Sequence, residues 1–132
     1  MPPGLTSTLA AIGVGTDSTL LDEVVRAVGG SWSELNHLRR TADSTVDVSE
    51  MTDDEVRAAL ATQLQDPQTD VTVAWPADRV AAKMTVSQLL TAIDDLWYPA
   101  MDDVVIVQAE SAGTTVVVLD HEEQLTATRL TA

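Results

Sequence analysis

The stretch 103–119, "DVVIVQAESAGTTVVVL", decides the fold. Two runs of mostly β-branched apolar residues, Val104–Val107 and Val116–Leu119, flank the small and polar residues "AESAG" at 109–113. A strand with one solvated face alternates apolar and polar residues. Continuous apolar runs therefore point to strands buried on both faces. The short connection favours a tight reversal, so the pair reads as an antiparallel hairpin. A second turn, "DHEE" at 120–123, leads into "QLTATRL" at 124–130, which extends the meander.

Working back from the hairpin, Pro99 stops a helix that the sequence marks out clearly. In "TVSQLLTAIDDLW", residues 85–97, Thr85 is placed to cap, and Val86, Leu89, Leu90, Ile93, Leu96 and Trp97 share one helical stripe. Asp94 and Asp95 lie off the stripe and should face water. Residues 69–75, "TDVTVAW", alternate with period two and stop at Pro76, which predicts a strand with Val71, Val73 and Trp75 on one side. Thr52 and Glu55 have capping-box spacing ahead of a helix reaching about Gln65 and burying Val56, Ala59, Leu60 and Leu64; Asp66-Pro67 ends it.

Residues 41–51 are polar and β-branched, which suits a loop or a short edge strand. "SWSELNHLRR" at 31–40 reads as a helix of about two turns with Trp32, Leu35 and Leu38 on one side. In 16–30, Leu20, Leu21, Val24, Val25 and Val28 form a stripe between Asp17 or Ser18 as cap and Gly29-Gly30 as stop. Residues 1–15 read as an edge segment or one with little fixed structure. The expected architecture is α+β over a single domain, 1–132. Three to four short helices, mainly in the N-terminal half, pack on a mainly antiparallel sheet of about four strands in the C-terminal half.

At 132 residues and 45% apolar composition, the chain is long enough for one real core. Acidic residues outnumber Lys plus Arg by 21 to 7, for a formal charge of −14. Such a surface repels nucleic-acid phosphates and anionic membranes and attracts basic proteins at long range. Acidity also serves solubility or a saline habitat, and charge alone does not separate these roles. No cysteine is present, which makes a reducing cytoplasm the simplest home. The first fifteen residues lack a Lys/Arg leader region, and their short apolar run is broken by Gly13 and Gly15, which disfavours a signal peptide or membrane span.

Motifs for catalysis or cofactors fail in their context. Gly13-Val14-Gly15 has Ser18 where a dinucleotide loop needs its third glycine, and no phosphate-binding lysine follows. Asp17-Ser18-Thr19 is similar to the phosphopantetheine site of acyl carrier proteins, but Thr19 stands in place of leucine, and helix capping explains Asp17 and Ser18 more economically. His121-Glu122 opens a zincin-like pattern, but Leu125 replaces the second histidine, so a turn is the better reading and no metal or other cofactor is expected. A Ser-His-Asp set would have to recruit His37 or His121 without a nucleophile elbow. No catalytic residues are assigned. The aromatics are Trp32, Trp75, Trp97 and Tyr98; periodicity assigns Trp75 and Trp97 to the core and leaves Tyr98 for the surface.

"LWYPAMDDVVIV" at 96–107, followed by a hairpin and "VVVLDHEEQL", resembles the C-terminal part of small acidic bacterial immunity proteins of polymorphic or contact-dependent toxin systems. The likeness covers about residues 94–125 and is carried by Trp97, Tyr98, Pro99, Asp102, Asp103, His121 and Glu122. It implies a cytoplasmic, stoichiometric inhibitor without turnover that binds a basic effector protein, a toxin, and covers its working surface. An acidic surface would independently steer such an association. Asp94, Asp95, Asp102, Asp103, Glu122 and Glu123 would make the electrostatic contacts beside His121, with Tyr98 as an anchor. Two other readings stay open. One is a homodimeric regulatory or adaptor module, because a sheet apolar on both faces needs cover that a second subunit could supply. The other is a small-molecule binding protein or enzyme, which His37 and His121 converging with carboxylates in one cleft would favour.

Overall fold

The computed structural model describes residues 3–64, 66–97, 103–110 and 113–131. In chain order its elements are α1 (Pro3–Ala11), α2 (Thr19–Val28), α3 (Glu34–Arg40), β1 (Ser44–Asp47), α4 (Asp53–Leu64), β2 (Asp70–Trp75), a 3-10 turn (Pro76–Asp78), β3 (Val80–Thr85), α5 (Val86–Leu96), β4 (Val104–Glu110), β5 (Gly113–Leu119) and β6 (Gln124–Thr131). The strands form one antiparallel sheet in the order β1-β6-β5-β4-β2-β3. The α+β class and the antiparallel pairing agree with the sequence reading. The detail differs: the described residues hold six strands and five α-helices, and the strands β1, β2 and β3 come from the first two-thirds of the chain.

The continuous apolar runs are explained by cover on both faces. Val104 and Ile106 of β4, with Val117 and Leu119 of β5, join one core with α1, α4 and α5. Val105, Val116 and Val118 point the other way, into a second core with Val24 and Val28 of α2, against which Trp32, Leu35 and Leu38 pack. Each fully buried valine or leucine stabilises by about 1.5–3 kcal/mol relative to exposure. The cover that the sequence reading sought from a second subunit comes from α2 and α3 of the same chain.

Segment 77–84 gives no strand signal in the sequence, because Ala77, Ala81, Ala82 and Lys83 are poor strand formers. Pairing supplies what propensity does not: β3 lies against β2 in continuous register from Asp70↔Thr85 to Trp75↔Val80. Ala81 and Ala82 are buried on opposite faces, Ala81 in the second core and Ala82 in the first. Residues 1–15 were expected to be an edge or little-structured segment, yet Pro3–Ala11 forms α1 and Leu9 is buried. Just beyond it, Thr16 bridges to Ala82 and the Asp17 amide donates to the Ala81 carbonyl at 3.0 Å, partly covering the outer edge of β3.

The starts of α2, α4 and α5 are held as the sequence anticipates, with additions from the sheet, whereas Ser33 at the start of α3 makes no side-chain cap bond. Both capping boxes form: Thr52 with Glu55 at 3.2 Å each way, and Thr85 with Gln88. Gln88 also donates to the Ile12 carbonyl at 3.1 Å, tying the chain after α1 to α5. Asp17 accepts from the Thr19 amide and hydroxyl, and these bonds hold its carboxyl below the usual carboxylate range. Gly29 closes α2 at φ 121°, where a side chain would be strained and its Cβ would crowd Glu34. Two buried side chains from the sheet satisfy orphan helix carbonyls: the Trp75 indole donates to Leu96 O at 2.8 Å, and Gln108 Nε2 donates to Leu64 O at 2.9 Å.

Candidate functional site

The turn between β5 and β6 is organised by Asp120. The sequence places this aspartate directly after an apolar strand, and its carboxylate folds back into the turn. Oδ1 accepts the amides of Glu122 at 2.8 Å and Gln124 at 3.2 Å. Oδ2 lies 2.9 Å from Nε of Arg39, at the end of α3, a charge contact without hydrogen-bond alignment, and Asp120 is 1% exposed. A second arm of Arg39 donates to Glu122 at 3.0 Å. One arginine thereby fixes α3 to the turn through a buried and an exposed carboxylate.

From the other side, Asp103 stands just before β4 and accepts the His121 amide at 2.9 Å, with the His121 ring Nδ1 also at 2.9 Å. The hydrogen bond to Asp103, and then its charge, raises the His121 pKa above the ordinary 6.5. His121, Asp103 and Asp120 line a groove with Trp32, Leu35 and Arg39; His37 does not line it. Among the described residues, no three His, Asp or Glu side chains converge so as to hold a metal ion.

The last turn residue, Glu123, faces a different cleft. Its backbone sits in the left-handed region at φ 59°, pinned by its amide to Asp120 O at 3.0 Å and by its carbonyl, which accepts the Val48 amide at 2.9 Å. The cleft, of about 170 Å³, opens between α4, α5 and this turn. Asp53, Asp94 and Glu123 contribute carboxylates, while Met51, Val56, Ile93 and Trp97 contribute apolar surface. Asp94 accepts from Arg57 Nη2 at 3.3 Å, and the same arginine donates to Leu90 O and Asp54 at 2.6 Å each, bracing α4 against α5. Among the described residues, Asp53 and Glu123 make no side-chain hydrogen bond or ion pair.

The residues singled out from sequence therefore separate. Asp94 and Glu123 share the cleft; Asp103 and His121 form a pair in the groove; Glu122 is held by Arg39; Asp95 is exposed on α5. Tyr98, Pro99 and Asp102 lie outside the described residues. Trp75 and Trp97 are core, at 1% and 3% exposure. Sequence reasoning missed Asp53, read only as part of a helix start, and missed Arg39, Arg57 and Asp120. One signal was available: only seven Lys and Arg serve 21 acids, so an arginine on a predicted amphipathic helix is a strong candidate for a fixed ion pair.

Fold and site together define an acidic α+β protein with an antiparallel sheet covered on both faces and a carboxylate-rimmed, apolar-floored cleft between α4, α5 and the 120–123 turn. No family model matches the chain, and neither curated proteins nor solved structures include a significant match. No helix among the described residues is long and apolar enough to cross a membrane.

Proposed function

We propose that this chain is a non-enzymatic binding protein, an immunity- or antitoxin-like inhibitor that acts in the cytoplasm by covering a basic effector protein. The observation that carries the reading is the cleft: carboxylates from three separate segments, Asp53, Asp94 and Glu123, surround one apolar floor. Asp95, next to Asp94 on α5, is exposed and adds to the negative surface. With a formal charge of −14 behind it, that surface attracts a basic partner before contact and repels nucleic acid. Binding then inhibits by occlusion, with no chemical step. The test is co-purification from the native host, identification of the bound protein, and assay of its activity with and without this chain. A captured basic protein whose activity is blocked one-to-one supports the reading; a bound partner whose activity is unaffected sinks it.

A second reading, an oligomeric adaptor, draws on the groove of about 410 Å³ beside α2, where Val107 is half-buried and Ala109 exposed. A second copy could cover that strip. Light scattering that finds a monomer across micromolar concentrations removes it.

A further inference from the structure

We infer that the cleft between α4, α5 and the 120–123 turn seats a single basic side chain, a lysine or arginine presented by the protein partner. This rests on the reading of the chain as a binder of a basic protein and identifies the chemistry of its anchor. Lysine and arginine join an aliphatic stem to a charged head, and the cleft offers complementary surfaces to both parts. Met51, Val56, Ile93 and Trp97 line it with apolar surface, and Asp53, Asp94 and Glu123 stand around it. Its volume, about 170 Å³, is below the 300–1,000 Å³ usual for small-molecule sites and suits one side chain.

Charge complementarity selects the occupant. Among the described residues, the only cation bonded to the rim is Arg57 on Asp94, and that arginine is also engaged by Asp54 and Leu90 O. Asp53 and Glu123 remain without a counter-charge among the described residues. A neutral or anionic anchor would desolvate these carboxylates with nothing in return, whereas a cation pairs with them. The backbone of Glu123 is fixed, since two backbone hydrogen bonds already hold its left-handed conformation.

The test is an NMR titration of the full chain with N-acetyl-arginine methylamide and N-acetyl-lysine methylamide, using N-acetyl-norleucine methylamide as an uncharged probe of similar stem. Saturable shifts at the Trp97 indole and the Met51 and Ile93 methyls are expected with the basic probes alone. Asp53→Asn/Glu123→Gln should weaken them about tenfold or more, while Asp22→Asn/Glu23→Gln on α2, across the sheet, leaves them unchanged. Equal shifts with norleucine, or affinity indifferent to the cleft variant in a well-dispersed spectrum, overturn the inference. The same variant is then applied to the complex purified from the host. A partner retained at wild-type affinity overturns the cleft assignment and leaves the binding-protein reading standing; a wild-type chain that captures no partner removes both.

Discussion

Replacing Asp120 by alanine removes the one buried carboxylate on which the β5–β6 turn depends. The substitution leaves the amides of Glu122 and Gln124 without their acceptor and Arg39 without its buried partner. Hydrogen bonds to a charged group contribute about 1.5–3 kcal/mol each, and breaking a buried ion pair from one side costs about 3–5 kcal/mol. These losses share one carboxylate and do not add, and Arg39 keeps 20% side-chain exposure and its bond to Glu122. The expected cost is therefore about 3–5 kcal/mol. With a urea m-value of about 1.5 kcal/mol/M, the unfolding midpoint should fall by about 2–3 M at unchanged slope. Asp120→Asn keeps an oxygen for the two amides and loses only the charge, so it should lie between wild type and alanine, at about 1–3 kcal/mol. An alanine midpoint within about 0.5 M of wild type would refute the assignment of Asp120 as the organiser of the turn.

Three further outcomes are expected. Because Asp103 raises the His121 pKa above 6.5, the charged pair contributes fully below about pH 6.5 and its contribution is lost as pH rises through the folded-state value. NMR titration should find a lower His121 pKa in Asp103→Asn, and the difference in thermal midpoint between that variant and wild type should narrow with rising pH to the part due to the His121 amide. An unchanged His121 pKa would show that Asp103 does not control it. Gln88→Ala removes half of a capping box and the bond to Ile12 O, so stability should drop by about 1–2 kcal/mol and amide exchange in α1 should quicken more than in α4. Trp75→Phe leaves the Leu96 carbonyl without the indole donor and should cost about 1–3 kcal/mol in urea unfolding; a neutral result would mean that another donor reaches that carbonyl.

Much of the fold was legible because its signals are local. A capping residue and its partner three positions on act within one turn, so Thr52–Glu55 and Thr85–Gln88 could be read directly and both form. The apolar runs at 104–107 and 116–119 announced strands buried on both faces, and the two cores meet that demand. β3 was not legible, since its alanines and lysine carry helix preference and only pairing with β2 makes them a strand. Helix α1 was obscured by Gly13 and Gly15 beyond it and is secured by a distant residue, Gln88.

The site divides along the same line. Sequence alone determined that the chain is strongly acidic, that Trp75 and Trp97 belong to the core, and that residues 120–123 form a turn, because composition, periodicity and turn chemistry involve only a residue and its near neighbours. Only the tertiary structure decided which acids meet. Glu122 and Glu123 are adjacent in the chain, yet one is held by Arg39 of α3 while the other faces Asp53 and Asp94 in the cleft. That separation follows from the left-handed backbone at Glu123 and from the packing of helices on opposite faces of one sheet. Neither leaves a local signal, because each carboxylate is positioned by contacts with segments remote in sequence.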